Sequence, residues 1–257
     1  MSLDQDKIWW WHSIELPDGT ITPGEKTLSY LKTEWERMAL PDLTGKTLLD
    51  IGAWDGWFSF EAEKHGAARV VALDQFVWAL DFSEGAKYAV YVEECKAAGR
   101  PAAPWGPACP FWEIDTLPGQ RGFKRAHEAF RSKVEPVVAN FMETDVSSIG
   151  SFDIVLFLGV LYHLQEPLTA LRRLRQLTNE LAVVETEAIE VFGYEDRAML
   201  RFTPGAEVNN DSTNWWFPNE LALKGLLATA GFSHYETTGR TSARSDGHYR
   251  LTMQARP

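Results

Sequence analysis

Cysteine is nearly missing from this sequence: Cys95 and Cys109 are the two present in 257 residues. Two thiols are too few for a disulfide framework or a multi-thiolate zinc site, and they predict lone buried thiols in a reducing cytoplasm. Long apolar runs are lacking as well. No stretch reaches the roughly 18 residues that a membrane-spanning helix needs. The opening MSLDQDKIWWWHS has no basic region followed by an apolar core, so neither export nor membrane attachment is expected.

Positive charge is in deficit: 25 lysines and arginines face 36 acids, a net charge of −11. A chain that binds a long polyanion usually presents a basic field, so nucleic acid is not an expected partner. Internal repeats and low-complexity tracts are absent. So are a G-x-S-x-G elbow, a phosphate loop ending in Gly-Lys, and any paired His, Cys, Asp or Glu spacing that would predict a metal. The oligomeric state is left open.

What is present is ordinary globular composition, 45% apolar and 24% charged, with an unusual eleven tryptophans. They gather at Trp9 to Trp11, Trp54 and Trp57, Trp105 and Trp112, and Trp215 and Trp216. Residues 1–43 hold the first group, a turn-rich stretch and a helical pattern over about 25–38, with Leu28, Leu31, Trp35 and Met38 on one face. They are expected to form an aromatic cap or lid over a domain spanning 44–257.

From Gly45 onward, short apolar runs alternate with amphipathic helices: TLLDIG, RVVALD, VEPVVAN, SFDIVLFLG and NELAVVET read as strands. PLTALRRLRQLT begins a helix with Pro167, and PNELALKGLLATAGF is a helix stopped by Gly231. FSHYETT and HYRLTMQA close the chain as a hairpin. The pattern predicts an α/β fold, a mostly parallel seven-stranded sheet with an antiparallel C-terminal hairpin. Between the second and third strands the chain is about twice as long as one crossover helix requires. The excess, residues 99–122, carries five of the thirteen prolines and is expected to pack on the body as an excursion.

The strongest chemical signal is Leu48-Leu49-Asp50-Ile51-Gly52-Ala53-Trp54-Asp55-Gly56, a strand ending in an acid and a glycine-spaced turn before a helix. A dinucleotide fold offers bare amides to a pyrophosphate at this place. Here the G-x-G-x-x-G spacing is absent, and the acid would repel a diphosphate but hold a cationic ligand. S-adenosylmethionine, with its ammonium and sulfonium, fits better than NAD. Asp50, Gly52, Ala53 and Gly56 are the expected contacts in this turn. Eighteen residues past Gly56, Asp74 ends the second strand, where an acid can take both ribose hydroxyls, with Gln75 beside it. Asn140 and Phe141 follow the third strand and would meet the adenine edge. Leu158 and Gly159 end the fourth, beside the reacting sulfur.

Together these residues resemble the class I S-adenosylmethionine-dependent methyltransferases over about residues 44–255. Within them, GVLYHLQEPLTALRRL and NWWFPNELALKGLLATAGF are similar to the group of the bacterial tRNA wobble-uridine carboxymethyltransferase. The resemblance implies a Rossmann-like fold, S-adenosylmethionine as donor, S-adenosylhomocysteine as product, and Tyr162 near the transferred group. Three departures stand beside it: Trp54 in place of the middle glycine, the 99–122 excursion, and an aromatic opening in place of a lysine-rich approach. The expected activity is methyl transfer to an oxygen or nitrogen of a small-molecule acceptor; the alternative is a tRNA-modifying methyl or carboxymethyl transferase.

An acceptor of high pKa wants a base. His163 is the best-placed candidate, though a histidine there could equally bond a backbone carbonyl. Tyr162 could donate to the acceptor or pack as core. His12, beside the first tryptophan group, is a second candidate for catalysis, and Glu185 reaches the same rim. The basic residues of RGFKRAHEAFRSK and of Arg172, Arg173 and Arg175 either meet phosphate or form solvated faces.

Overall fold

The fold was obtained as a computed structural model, which describes residues 8–209 and 211–257. The first seven residues of the expected cap therefore lie outside the described residues. Helix α1 (Leu28–Arg37) starts three positions later than its apolar spacing suggests. The reason is local: Glu25 and Lys26 donate their N–H groups to the carbonyls of Trp10 and Trp11, and Thr27 then caps the helix by accepting from the Tyr30 N–H.

β1 (Thr47–Ile51), α2 (Trp57–Lys64) and β2 (Arg69–Asp74) form the first crossover unit. α3 (Gly85–Ala97) and α4 (Arg121–Phe130) both lie between β2 and β3 (Glu135–Val138). The 99–122 excursion connects them and packs through Trp105, whose ring stacks 4.2 Å from that of Tyr88 on α3. A one-turn helix, α5 (Val146–Ile149), precedes β4 (Phe152–Leu158); then come α6 (Pro167–Leu177) and β5 (Thr178–Ile189). After β5, two three-residue strands pair antiparallel, β6 (Leu200–Phe202) and β7 (Trp216–Pro218). α7 (Glu220–Ala230), β8 (His234–Arg240) and β9 (His248–Arg256) finish the chain.

The seven-stranded sheet has the order β3-β2-β1-β4-β5-β9-β8. Its first five strands are parallel, and β9 runs antiparallel to both β5 and β8. β1, β2 and β4 are near-continuous apolar runs because helices cover both faces of the sheet. One core sets α6 and α7 against the sheet through Leu171, Leu174, Leu223 and Leu227. The other sets α1, α2 and α4 against it through Leu31, Phe58, Phe60 and Phe123. The order reverses between β1 and β4, and a ligand of an open α/β sheet lies at the carboxyl ends of strands flanking such a point. Asp50, Gly52, Asp74, Leu158 and Gly159 all lie there.

Residues 8–26 run across the turn that follows β1. The chain just past α1 is fastened to β9, the strand next to the sheet's edge, where the Gln254 side chain donates to the carbonyls of Met38 and Ala39 at 2.9 and 2.7 Å. No helix among the described residues is long and apolar enough to cross a membrane.

Candidate functional site

The turn after β1 contains three residues of positive φ: Gly52 (80°), Trp54 (50°) and Gly56 (84°). Only glycine fits at 52 for a second reason: a Cβ there would stand 2.5 Å from Cγ2 of Val160, beyond the end of β4. Trp54 holds a left-handed conformation costly to a bulky residue, and its surroundings offset that cost. Its ring stacks at 5.0 Å on Trp11, with Trp9 and Phe82 at 5.5 Å, while its carbonyl accepts from the indole N–H of Trp78. The ring is thus turned into the aromatic cluster beneath the N-terminal segment.

Most amides of this turn are spoken for. Gly52 and Ala53 both donate to the Leu73 carbonyl, at 2.8 and 3.3 Å, and Trp54 donates to Oδ2 of Asp74 at 3.1 Å. The first three amides of the turn are therefore not offered to a diphosphate. The carboxylates, by contrast, lack cationic partners. Asp50, Asp55 and Asp74 are 2%, 0% and 4% exposed, and none is in an ion pair among the described residues. Asp50 accepts from the Ser59 hydroxyl at 2.7 Å, and burial pushes its carboxyl up to about 6. Burial pushes Asp55 and Asp74 up to about 7, and each feels a neighbouring acid, Asp74 in the first case and Asp50 in the second. Such a cluster is relieved by a bound cation.

Asp74 is steadied by Trp54 and by the Val77 N–H, one on each oxygen at 3.1 Å, which leaves a lone pair on each for a ribose hydroxyl. Gln75 follows, half-buried. Asn140 turns its side-chain oxygen back to the Met142 N–H at 3.0 Å. Phe141 packs 5.3 Å from Phe157, and its carbonyl accepts from Arg173. Arg173 also bonds the Thr144 carbonyl, and Arg175 the Gly231 carbonyl, so both are backbone fasteners and not phosphate contacts.

At the end of β4, Gly159 (φ 72°) lies below a polar wall: a Cβ there would be 3.4 Å from Arg250, 3.7 Å from the Tyr162 hydroxyl and 3.9 Å from Glu185. Arg250 of β9 reaches across β5, binds Glu185 through two nitrogens, and donates to Tyr162 at 3.1 Å and Glu187 at 3.2 Å. Arg244 also binds Glu187. Burial raises the Tyr162 phenol, with Arg250 opposing, so its proton is retained at neutral pH. His163 stands next to Tyr162, ring centroids 4.2 Å apart, and its Nδ1 meets the Thr213 hydroxyl at 2.8 Å. Burial lowers its pKa and Asp211 partly restores it, so the imidazole is neutral at pH 7.

His12 has a different setting. It is buried with its ring edge-on to Phe58 of α2, 5.7 Å between centroids, and its pKa is held well below the usual value by burial and by Lys26. Asp55, unmarked by the sequence reading, accepts the N–H groups of Trp11 and His12 at 2.7 and 2.9 Å. Arg250 was equally unmarked, although a charge inside the apolar strand HYRLTMQA is a visible signal.

A family profile described as a methyltransferase domain matches residues 25–237. The chain belongs to the methyltransferase domain family. That family takes its methyl group from S-adenosylmethionine. The chain is 26% identical over 215 residues to the tRNA U34 carboxymethyltransferase of Idiomarina loihiensis, covering 83% of this chain and 54% of that protein. It is 27% identical over 208 residues to the enzyme of the same name from Ectopseudomonas mendocina, covering 77% and 49%. The chain thus spans about half the length of the curated relatives it matches. Among solved structures, the N-terminal domain of EvdMO1 with SAH bound superposes with a TM-score of 0.60 at 16% identity, covering 96% of this chain and 91% of that one. The same domain in the presence of SAH and D-fucose gives 0.59. The methyltransferase fold is the same as the one expected from the strand pattern.

Proposed function

We propose that this methyltransferase moves a methyl group from S-adenosylmethionine to an oxygen or nitrogen of a small-molecule acceptor. The observation that carries the reading is the inverted polarity of the turn after β1. The N–H groups of Gly52, Ala53, Trp54 and Gly56 are spent within the protein, while Asp50, Asp55 and Asp74 crowd around the turn without a cation. A diphosphate finds an unfavourable field there, whereas an ammonium and a sulfonium offset a costly buried charge.

In this reading Gly52, Ala53 and Gly56 let the donor approach the backbone, Asp50 lies under its cationic end, and Asp74 with Gln75 takes the ribose. Asn140 and Phe141 flank the adenine, and Leu158 and Gly159 lie beside the sulfur. When bound, the donor supplies a sulfonium methyl whose carbon accepts the acceptor's lone pair as the carbon–sulfur pair leaves with sulfur. Little covalent help is needed, so the chain's work is alignment and exclusion of water. Tyr162, held by Arg250, orients the acceptor, and His163 takes its proton on Nε2. His12 packs the cap, its ring edge-on to Phe58 and kept neutral by burial and by Lys26. Residues 1–43 serve as that cap, 44–257 as the catalytic domain, with 99–122 as an inserted wall. The two cysteines, both free and buried, are in keeping with a cytoplasmic protein.

One observation favours a second reading, carboxymethyl transfer to tRNA: Arg250 places a cation beside Tyr162, where a carboxylated donor would need one. Glu185 already occupies that guanidinium through two bonds and Glu187 through a third, and the net charge of −11 opposes RNA. Calorimetric titration separates the cases. Binding of S-adenosylmethionine and S-adenosylhomocysteine, with none for NAD and weaker binding for carboxy-S-adenosylmethionine, is the expected result. No binding by either sulfur compound, with pre-bound ligand excluded by mass spectrometry, overturns the proposal. Tighter binding of the carboxylated donor transfers it to the second reading.

A further inference from the structure

His163 lies in the short 3-10 turn Leu161–His163 that follows β4, and among the described residues its Nδ1 meets only oxygen atoms, of Thr213 and Asp211. The Thr213 hydroxyl oxygen is 2.8 Å away, the Thr213 carbonyl oxygen 3.3 Å, and Oδ2 of Asp211 4.0 Å. A carbonyl and a carboxylate can only accept. The hydroxyl could in principle donate, but a hydroxyl has one proton. That proton goes to Oδ1 of Asp211 at 2.7 Å, and the same oxygen also receives the Thr213 N–H at 2.8 Å. The Thr213 hydroxyl therefore has only lone pairs left for the imidazole. Nδ1 must carry a hydrogen, and in a neutral ring Nε2 must then be bare.

We propose that Thr213 and Asp211 are positioning residues for His163, fixing its tautomer so that Nε2 presents a lone pair to the methyl acceptor. The inference rests on the reading of His163 as base and supplies what that reading lacks, a third group that orients the base. It differs from the usual arrangement in that a threonine hydroxyl is interposed between imidazole and carboxylate. The balance of the step is simple. An acceptor O–H or N–H bond breaks, its proton moves to Nε2, and the electron pair left on the acceptor forms the bond to the methyl carbon as the carbon–sulfur bond breaks and its pair leaves with the sulfur of S-adenosylhomocysteine. The resulting imidazolium has Nδ1–H pointed at the Thr213 oxygens, with Oδ2 of the Asp211 carboxylate 4.0 Å from Nδ1.

The segment that brings Thr213 here is tied to the same rim. The Trp215 N–H donates to the Tyr162 carbonyl at 2.8 Å, and the Trp216 indole to the Gln165 carbonyl at 3.0 Å. The Asn214 side chain donates to the Val208 carbonyl at 3.0 Å. Among the described residues the groups that act on the imidazole are the Asp211 carboxylate and the Thr213 carbonyl, which favour its charged form, the Arg250 guanidinium, which opposes it, and the Tyr162 ring packed beside it.

The test needs no acceptor. Imidazole nitrogen NMR on the full chain, with the His163 signals assigned by their loss in His163→Gln, reads the tautomer and its titration directly. The wild-type ring is expected as the Nδ1–H form. Thr213→Val should lower the ratio of Nδ1–H to Nε2–H roughly fivefold, the worth of one ordinary hydrogen bond. Thr213→Ser should restore it. Asp211→Asn should move the His163 pKa downward by removing the favourable charge. An Nε2–H tautomer in the wild type overturns the proposal. So does an unchanged ratio in a folded Thr213→Val protein, or, should that variant not fold, an unmoved titration in Asp211→Asn. Failure of the underlying reading shows elsewhere: in an acceptor screen, His163→Gln would turn over as fast as wild type while the NMR result stood.

Discussion

Oδ2 of Asp55 accepts the backbone N–H of Trp11 at 2.7 Å, joining the turn after β1 to a segment 44 residues earlier in the chain. The same oxygen takes the His12 N–H at 2.9 Å, so one carboxylate closes two otherwise unpaired donors of the N-terminal segment. Asp55→Ala strands both donors. The expected cost is about 3 kcal/mol. It is to be measured by urea denaturation, with hydrogen exchange at amides 11 and 12 becoming fast while the β-sheet stays protected. Unchanged exchange at these two amides would refute the clasp.

The three buried acids make a prediction about pH. Their folded pKa values, about 6 for Asp50 and about 7 for Asp55 and Asp74, lie above the value of 3.8 for a free side chain. The folded chain therefore holds protons that the unfolded chain has released. That contribution to stability is complete at pH values below the free value and is lost as pH rises through the folded pKa values. The ligand-free protein should melt at a lower temperature at about pH 8 than at about pH 6. A cationic donor reverses the shift, so its binding should release protons. Titrations in two buffers of different ionisation enthalpy measure that release; proton uptake would contradict it.

Arg250→Met leaves Glu185 and Glu187 buried with less than their full complement of charge. Losing one partner of a buried pair typically costs about 3–5 kcal/mol, far more than an exposed pair contributes. Denaturation should show a loss of this size, and adding Glu185→Gln to the same chain should recover part of it. A loss below about 1 kcal/mol would mean that solvent already screens the cluster.

Asp74→Ala tests the ribose assignment. Two hydrogen bonds to an ionised carboxylate should be worth roughly 10- to 100-fold in affinity for S-adenosylhomocysteine. Since Asp74 also receives the Trp54 and Val77 N–H groups, Asp74→Asn serves as the comparison. Near-wild-type affinity in both variants would remove the ribose contact.

The parallel strands were legible because burial on both faces writes them as unbroken apolar runs, and the glycine spacing of 52–56 marked the turn between them. β6 and β7 were not legible. Each is three residues long, too short for alternation to register, and they exist because Leu200 pairs with Pro218 and Phe202 with Trp216 across the intervening loop. Asp55 and Thr213 were hidden for a related reason. The partners of Asp55 are backbone amides 44 and 43 positions away, and Thr213 meets His163 across 50, so neither leaves a local pattern. Arg250 reaches Glu185 by strand order, since β9 lies next to β5 although 65 residues separate the two side chains.

The stacked rings of Trp9, Trp11 and Trp54 have an optical consequence. Trp9 and Trp11 lie 6.0 Å apart at 22°, and Trp11 and Trp54 lie 5.0 Å apart at 13°. Indoles this near exchange excitation, and their near-ultraviolet circular dichroism becomes a property of the trio. Two of the three rings belong to the N-terminal segment and the third to the turn after β1, so any separation of these two pieces of backbone erases the coupled signal. The molecule thereby carries an unlabelled gauge of the contact between these two pieces, readable during ligand titration.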